Sequence, residues 1–222
     1  GTENGGLTVY DTSRDEFLKT FSVPGNCVNS MFPSCDGNSV WLCTNDGISR
    51  ISHDENGYST ASWSLGSICL SGCALDREEV LVGTNAGVGV FSEVEGLRYV
   101  RAGVFATSMI ELPENRRLIT AYEGSFIYDA GTETMRRLNS LDSRCACLDG
   151  ESGSFFVGTG HNGILRYDPN LNCSYVLSPW STVSHGSDIE VSSLLLDRSL
   201  VLWIGTNGSG CFRSTETNRA FR

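Results

Sequence analysis

Leu202-Trp203-Ile204-Gly205-Thr206-Asn207-Gly208-Ser209-Gly210 joins an apolar run, a Gly-Thr step and a glycine turn. The same shape recurs at Val40–Gly47, Val80–Gly87, Leu118–Gly124 and Phe155–Gly163, and Gly1–Gly6 repeats its second half. Taking Thr2, Thr44, Thr84, Ala121, Thr159 and Thr206 as markers, the spacings are 42, 40, 37, 38 and 47 residues. The mean is about 41, the period of a four-stranded propeller blade.

The flanks of each marker fill out the blade. An apolar strand lies upstream, in Ser30–Asp36, Gly72–Asp76, Ser108–Leu112, Arg144–Asp149 and Ser193–Asp197. Its apolar character on both sides predicts an inner strand buried between blades. Alternating third strands follow the glycine turn at Leu7–Asp11, Ile48–Ile51, Val88–Phe91, Phe126–Asp129 and Ile164–Asp168, with Cys211–Ser214 in the last unit. More polar fourth strands come next, at Phe17–Phe21, Ser59–Ser64, Leu97–Arg101, Met135–Leu138 and Ser174–Leu177, as an exposed blade edge requires. The turns carry Asn and Gly because a short hairpin needs positive φ. No helix of ten or more residues is expected.

The pattern predicts an all-β chain, a β-propeller of four-stranded antiparallel blades forming one domain or propeller portion over 1–222. A partial blade covers 1–26, and blades cover about 27–67, 68–104, 105–142, 143–188 and 189–222. Five blades and a half can close as a five-blade ring with a leftover ribbon, close as six with one blade incomplete, or form an arc of a larger ring. Because the chain opens in mid-repeat, its N-terminus reads as a cut in a longer protein.

Composition excludes several classes. Sixteen Lys and Arg against 26 Asp and Glu leave a net charge of −10 over 222 residues. Nucleic-acid binding, which needs clustered cations to replace counterions, is therefore not expected. No stretch of about 18 apolar residues could span a bilayer, and no signal peptide is visible. Apolar residues at 40% and charged residues at 19% support a core rather than disorder.

The strand, Asp turn, Leu-Trp-Ile-Gly-Thr-Asn and Gly-turn strand of 191–214, with their counterparts in 28–51 and 144–168, resemble the two-component regulator propeller repeat. That repeat builds the periplasmic sensor region of hybrid two-component histidine kinases in gut bacteria. The third unit departs most, with Thr120-Ala121-Tyr122 where Gly-Thr is expected. The resemblance implies a non-enzymatic extracytoplasmic module sensing carbohydrate breakdown products. Its partners would be a small carbohydrate ligand, the remaining sensor and kinase portions of the receptor, and a second copy in a homodimer. It carries no catalytic set to transfer.

Other motifs reduce to structure. Nine cysteines contain no Cys-x-x-Cys pair, so zinc spacing is absent. In the repeat alignment Cys35, Cys43, Cys73, Cys145 and Cys211 occupy core slots and are expected to be small buried hydrophobes; Cys27, Cys69 and Cys173 stay open as disulfide candidates. Gly158-x-Gly160-x-x-Gly163 matches a dinucleotide fingerprint, but a strand follows where that site needs a helix. Asp36-Gly37-Asn38, similar to the Asp-box of sialidase propellers, reads as a turn. A metal centre would need His53, His161 and His185 to converge, and no cofactor, metal site or catalytic residue is expected.

Topology points to a ligand face. Strands alternate direction, so second-to-third turns share a face with the connections between blades. Tyr122, Glu123 and His161 therefore lie on the same side as the long connection 178–188, which causes the 47-residue spacing. Trp180 there could stack on a sugar ring, with His185, Asp188, Tyr122, Glu123 or His161 bonding its hydroxyls. Besides the sensor, a structural or protein-interaction propeller and a propeller glycosidase or lyase are the alternative functions.

Overall fold

The computed structural model describes residues 1–55, 57–177 and 189–214; for 174–177 it describes the backbone alone. The described residues form antiparallel sheets whose strands pair in chain order. β1 (Leu7–Asp11) and β2 (Glu16–Phe21) make a two-stranded sheet. Four-stranded sheets follow: β3 (Val28–Pro33), β4 (Ser39–Thr44), β5 (Gly47–Asp54) and β6 (Gly57–Trp63); then β7 (Cys69–Ala74), β8 (Glu79–Thr84), β9 (Gly87–Ser92) and β10 (Gly96–Ala102). The third comprises β11 (Ala106–Leu112), β12 (Arg116–Ala121), β13 (Gly124–Asp129) and β14 (Thr134–Asn139), and the fourth β15 (Ser143–Leu148), β16 (Phe155–Thr159), β17 (Ile164–Tyr167) and β18 (Cys173–Leu177). β19 (Val191–Leu196), β20 (Leu202–Thr206) and β21 (Cys211–Ser214) form a three-stranded sheet among the described residues. This is the all-β architecture of propeller blades. The chain divides into two compact units, Gly1–Ala106 and Thr107–Arg222.

Within each unit, consecutive sheets pack face to face. Phe32, Trp41, Cys43 and Ile48 of one blade meet Cys69, Val80, Val82 and Phe91 of the next in the first unit. In the second, Leu118 and Ile127 pack on Phe155, Val157 and Leu165, and Phe156 and Ile164 on Val191, Leu202 and Ile204. The deepest burial falls on second and third strands: β8 and β9 are almost wholly buried, as are β12, β13 and β16. This corrects, for β3 and β19, the expectation that first strands are buried on both sides, whereas β7 is mostly buried. Met31 on β3 is 50% exposed and Leu195 on β19 is 63% exposed. The first strand ends its sheet and has one paired neighbour, whereas the middle strands are flanked on both sides. The fourth strand β2 is largely exposed, and β6, β10 and β14 are exposed or half-buried with no buried residue, as their polarity requires.

The Gly-Thr step has a local cause. The hydroxyls of Thr44, Thr84, Thr159 and Thr206 donate to the carbonyls of Gly47, Gly87, Gly163 and Gly210 at 3.1, 3.0, 2.8 and 2.6 Å, closing each second-to-third turn. Thr2 does the same to Gly6 at 3.2 Å. Glycine is needed at Gly47, Gly87 and Gly124 because φ is +111, +152 and +133°. A Cβ there would also lie only 2.1–2.3 Å from a carbonyl oxygen of the fourth strand. In the aberrant third blade Ala121 fills the marker position, and Thr120 bonds instead to the Thr107 hydroxyl at 2.9 Å.

The other turns behave as read. Asp36 accepts from the Ser34 hydroxyl and the Asn38 amide, at 2.6 and 3.0 Å, so its Asp-box likeness is a turn clasp. β17, a strand, follows Gly163, which removes the dinucleotide reading. Two cysteine expectations fail. Cys43, Cys73 and Cys145 are buried, but Cys35 and Cys211 are exposed. Cys35 lies beyond the end of β3, in the turn rather than on the strand. Cys211 opens β21, which has no outer strand paired to it among the described residues. Cys27 and Cys69 are buried, Cys173 is exposed, and all nine are thiols.

Candidate functional site

First strands share a defect that builds the site. The register between first and second strands slips between Val28 and Ser30, Cys69 and Ser71, Ser143 and Cys145, and Val191 and Ser193. One residue is thus left unpaired near the start of each of these strands, and a bulge re-aims its side chain. In β15 that residue is Arg144.

Arg144 is the hub of a polar cluster in the Thr107–Arg222 unit. Its Nη2 lies 2.8 Å from Asp142 Oδ2 and its Nη1 3.1 Å from Glu190 Oε1. Its guanidinium carbon sits 4.3 Å from the centroid of the Tyr122 ring. Asn207 extends the network, donating from Nδ2 to Glu190 Oε2 at 3.1 Å and from its amide to the Glu190 carbonyl at 3.0 Å. Gly160 N donates to the Asp142 carbonyl at 2.9 Å, tying the β16–β17 turn to the same connection. A Cβ on Gly160 would stand 2.5 Å from Asp142 Oδ2, so glycine permits this approach. Second-to-third turns and inter-blade connections therefore meet on one face, as strand alternation requires.

The cluster carries one guanidinium against two carboxylates, a formal charge of −1. Asp142 Oδ1 and Arg144 Nε are buried atoms with no hydrogen-bond partner in the protein. Tyr122 is 44% exposed beside them. An aromatic ring next to fixed carboxylates and an amide can stack on an apolar ring face and accept from hydroxyl groups.

Of the residues singled out in the sequence, Tyr122 and Glu123 lie exposed on the β12–β13 turn, and His161 lies exposed on the β16–β17 turn. Tyr122 contacts the cluster directly, and the His161 turn is anchored to Asp142 through Gly160. Trp180, His185 and Asp188 lie outside the described residues. Asp142, Arg144, Glu190 and Asn207 were not legible in advance, since pattern reading has no signal for a bulge. His53 sits on β5 in the first unit with its ring 4.4 Å from that of Tyr58. Among the described residues, no group of three or more His, Cys, Asp or Glu is arranged to hold a metal ion.

Two clefts lie in the Gly1–Ala106 unit. One, of about 650 Å³, is lined by Asp76, Glu78, Glu79, Glu93 and Glu95 with Arg50 and Arg77. Its walls are first-to-second and third-to-fourth turns, the sides of those blades opposite the Gly-Thr turns, and Arg50 spans it in an ion pair with Glu93. The other, of about 500 Å³, is mostly apolar and lies between β1 and the β3–β5 strands. Neither has the mixed ring-and-carboxylate character of the Arg144 cluster.

No family model matches the chain, and no curated protein matches it in sequence. Among solved structures it is similar to the extracellular domain assigned to the hybrid two component system BT3049 from B. thetaiotaomicron. The identity is 18% and the TM-score 0.74, covering 95% of this chain and 30% of that one. It is similar to the extracellular domain assigned to the one component system BT4673 of the same organism, at 16% identity and TM-score 0.72, covering 96% and 30%. It is also similar to Raptor from Chaetomium thermophilum, at 16% identity and TM-score 0.65, covering 82% and 19%. The chain thus spans less than a third of the length of each. The first of these neighbours is an extracellular domain of the signalling class whose repeat the sequence resembles. At these identities the likeness is one of fold.

Proposed function

We propose that residues 1–222 form a single portion of the propeller of an extracytoplasmic sensor in a two-component receptor. This portion is non-enzymatic and recognises a carbohydrate-derived ligand. The observation that carries the ligand reading is the Tyr122–Arg144–Asp142–Glu190 cluster on the turn face. The sensor context is supported by the repeat resemblance and the two neighbouring extracellular domains, and among the described residues no helix is long and apolar enough to cross a membrane. With one cation against two carboxylates, the cluster favours neutral sugars over uronates. Neutral hydroxyls can donate to Asp142 and Glu190, whereas an added carboxylate meets net repulsion. Binding would act by population shift, favouring one arrangement of the receptor dimer.

The test is a thermal-shift and calorimetric screen of the purified chain against neutral and uronic oligosaccharides. A concentration-dependent melting shift with a neutral sugar, without turnover, supports the reading. The shift should be lost in Tyr122→Ala and Arg144→Ala, each checked for folding. A uronate hit retained in both variants, or product release from any hit, would overturn it. The alternative, a structural or protein-interaction propeller, predicts no shift with any sugar.

A further inference from the structure

In the Gly1–Ala106 unit, the β1–β2 sheet covers only part of the β3–β6 sheet among the described residues. Leu7, Phe21 and Val23 pack with Leu42 and Ile51. Beside that contact lies the apolar cleft of about 500 Å³, walled by β1 and by Met31, Pro33, Val40 and Tyr58. Met31 is 50% exposed and Val40 39%. The other blades show what these two positions meet. Val40 pairs with Pro33 and Ile51, as Val80 pairs with Ala74 and Phe91, Phe155 with Leu148 and Tyr167, and Leu202 with Leu196 and Ser214. Val80, Phe155 and Leu202 are each no more than 1% exposed. The first and second strands of the preceding sheet lie over such positions, β3 and β4 against β7, and β15 and β16 against β19. Gly72 pairs with Val82 as Met31 pairs with Leu42, and a Cβ on Gly72 would stand 2.4 Å from Phe32 Cε1. β1 follows the Thr2–Gly6 turn and so holds a third-strand position, yet among the described residues it pairs with β2 alone. Two positions that elsewhere lie under a first and a second strand thus face a cleft, beside an open strand edge, in continuation of a packed interface.

We propose that this cleft docks a β-hairpin of the same repeat, a first and a second strand carried by another part of the receptor. The second strand of the hairpin pairs antiparallel with the open edge of β1, as second and third strands pair in the four-stranded sheets, and the added backbone hydrogen bonds supply affinity. Large apolar side chains at its Phe32 and Trp41 positions cover Met31 and Val40, removing apolar surface from water and closing an edge that could otherwise pair with unrelated chains. That the hairpin belongs to the receptor rests on the sensor reading. That the cleft takes a hairpin of this chemistry rests on the cleft and the edge alone.

The probe is a synthetic peptide of residues 28–44, kept reduced, which carries a first strand, its turn and a second strand with Phe32 and Trp41 in place. It is titrated into the full chain by calorimetry, and hydrogen exchange of the mixture is read by mass spectrometry. The expected result is saturable binding of one peptide per chain, with slowed exchange across Leu7–Asp11. Binding should weaken about tenfold or more in Met31→Lys and in Val40→Lys, because each sets a charge in the apolar contact. Both positions are exposed, so both variants should keep the native unfolding midpoint, which is measured alongside. A peptide carrying F32D and W41D should not bind. No saturable binding, binding unchanged in both variants, or protection that leaves β1 untouched would overturn the proposal. Concentration-dependent dimerisation of the chain alone, lost in Val40→Lys, would overturn it in favour of a second copy as the occupant. The sugar screen reads the Arg144 cluster in the other unit. Its failure would therefore leave the hairpin result standing and remove only the receptor as its source.

Discussion

Replacing Thr159 by Val tests whether the Gly-Thr step is a buried clamp or only a composition bias. The Thr159 hydroxyl donates to the Gly163 carbonyl at 2.8 Å and accepts from the Asn162 amide at 2.8 Å, and Thr159 has no solvent exposure. Valine keeps the shape and removes both bonds. The Gly163 carbonyl retains the backbone amide of Thr159 at 3.0 Å, so it is weakened rather than orphaned. The Asn162 amide lies on an exposed turn, where water can replace the lost acceptor. With a net value of about 1 kcal/mol for each ordinary hydrogen bond and more for a buried group left short, the cost works out at about 1–2 kcal/mol. Thr206 supplies the control. It makes the same bond to Gly210, at 2.6 Å, where solvent reaches it. Thr206→Val should therefore cost less than about 0.5 kcal/mol. Denaturant unfolding of the two variants measures both. Equal costs, or a Thr159→Val cost as small as that of Thr206→Val, would show that the buried hydroxyl is not what the repeat preserves.

Three further outcomes follow from the same structure. Gly158→Ala should destabilise by about 1–3 kcal/mol, because its Cβ would meet Val191 Cγ1 at 2.5 Å and Cys145 Sγ at 2.7 Å in the core, and should cost more than Gly160→Ala, whose Cβ meets the partly exposed Asp142 carboxylate; equal costs in denaturant unfolding would count against this packing. Native thiol labelling should modify Cys35, Cys173 and Cys211 and spare Cys145, whose thiol is pushed up to about 12 by burial and then by Cys147, a pattern read by mass mapping. The Asp197 carboxyl is held below its usual 3.8 first by the Trp203 indole and then by backbone amides of its turn; its ionised form therefore favours the fold above pH 3.8, and this contribution is lost as pH falls through the folded-state value. Asp197→Asn should accordingly be less stable than the native chain at pH 7, with the gap closing below pH 4; a gap unchanged down to pH 2 would refute the linkage.

The fold was legible because it repeats. Each Gly-Thr step recurs between an apolar strand and a glycine turn on a period that fits a four-stranded blade, and a hydroxyl-to-carbonyl bond keeps it wherever the step occurs. Burial was less legible. Apolar content marked first strands as deeply buried, yet burial depends on how many strands and sheets flank a residue, and a first strand ends its sheet. Among the described residues β21 also ends its sheet, and Cys211 there is exposed, whereas its aligned partners Ile48, Val88 and Ile164 are fully buried. Alignment transfers a residue's slot but not the neighbours that fill the space around it.

The candidate site was half legible for a different reason. Strand alternation alone placed the turns of Tyr122 and His161 beside the inter-blade connections, because direction follows from counting strands. What counting does not show is a bulge. A strict alternation of faces along β15 would aim Arg144 opposite to Ser143 and Cys145, as an ordinary outward residue. The register slip between Ser143 and Cys145 removes Arg144 from the ladder and turns it toward Tyr122, Asp142 and Glu190. The same slip frees Asn29 to bridge Asn45 and the Cys69 carbonyl. One irregularity, repeated along the chain, thus serves as a scaffold joint in the first unit and as the centre of a polar cluster in the second. The residue placed at the bulge decides which. Exchanging Arg144 for Asn should accordingly dissolve the cluster while leaving the blade paired, since the bulge itself is set by the backbone of β15 and β16.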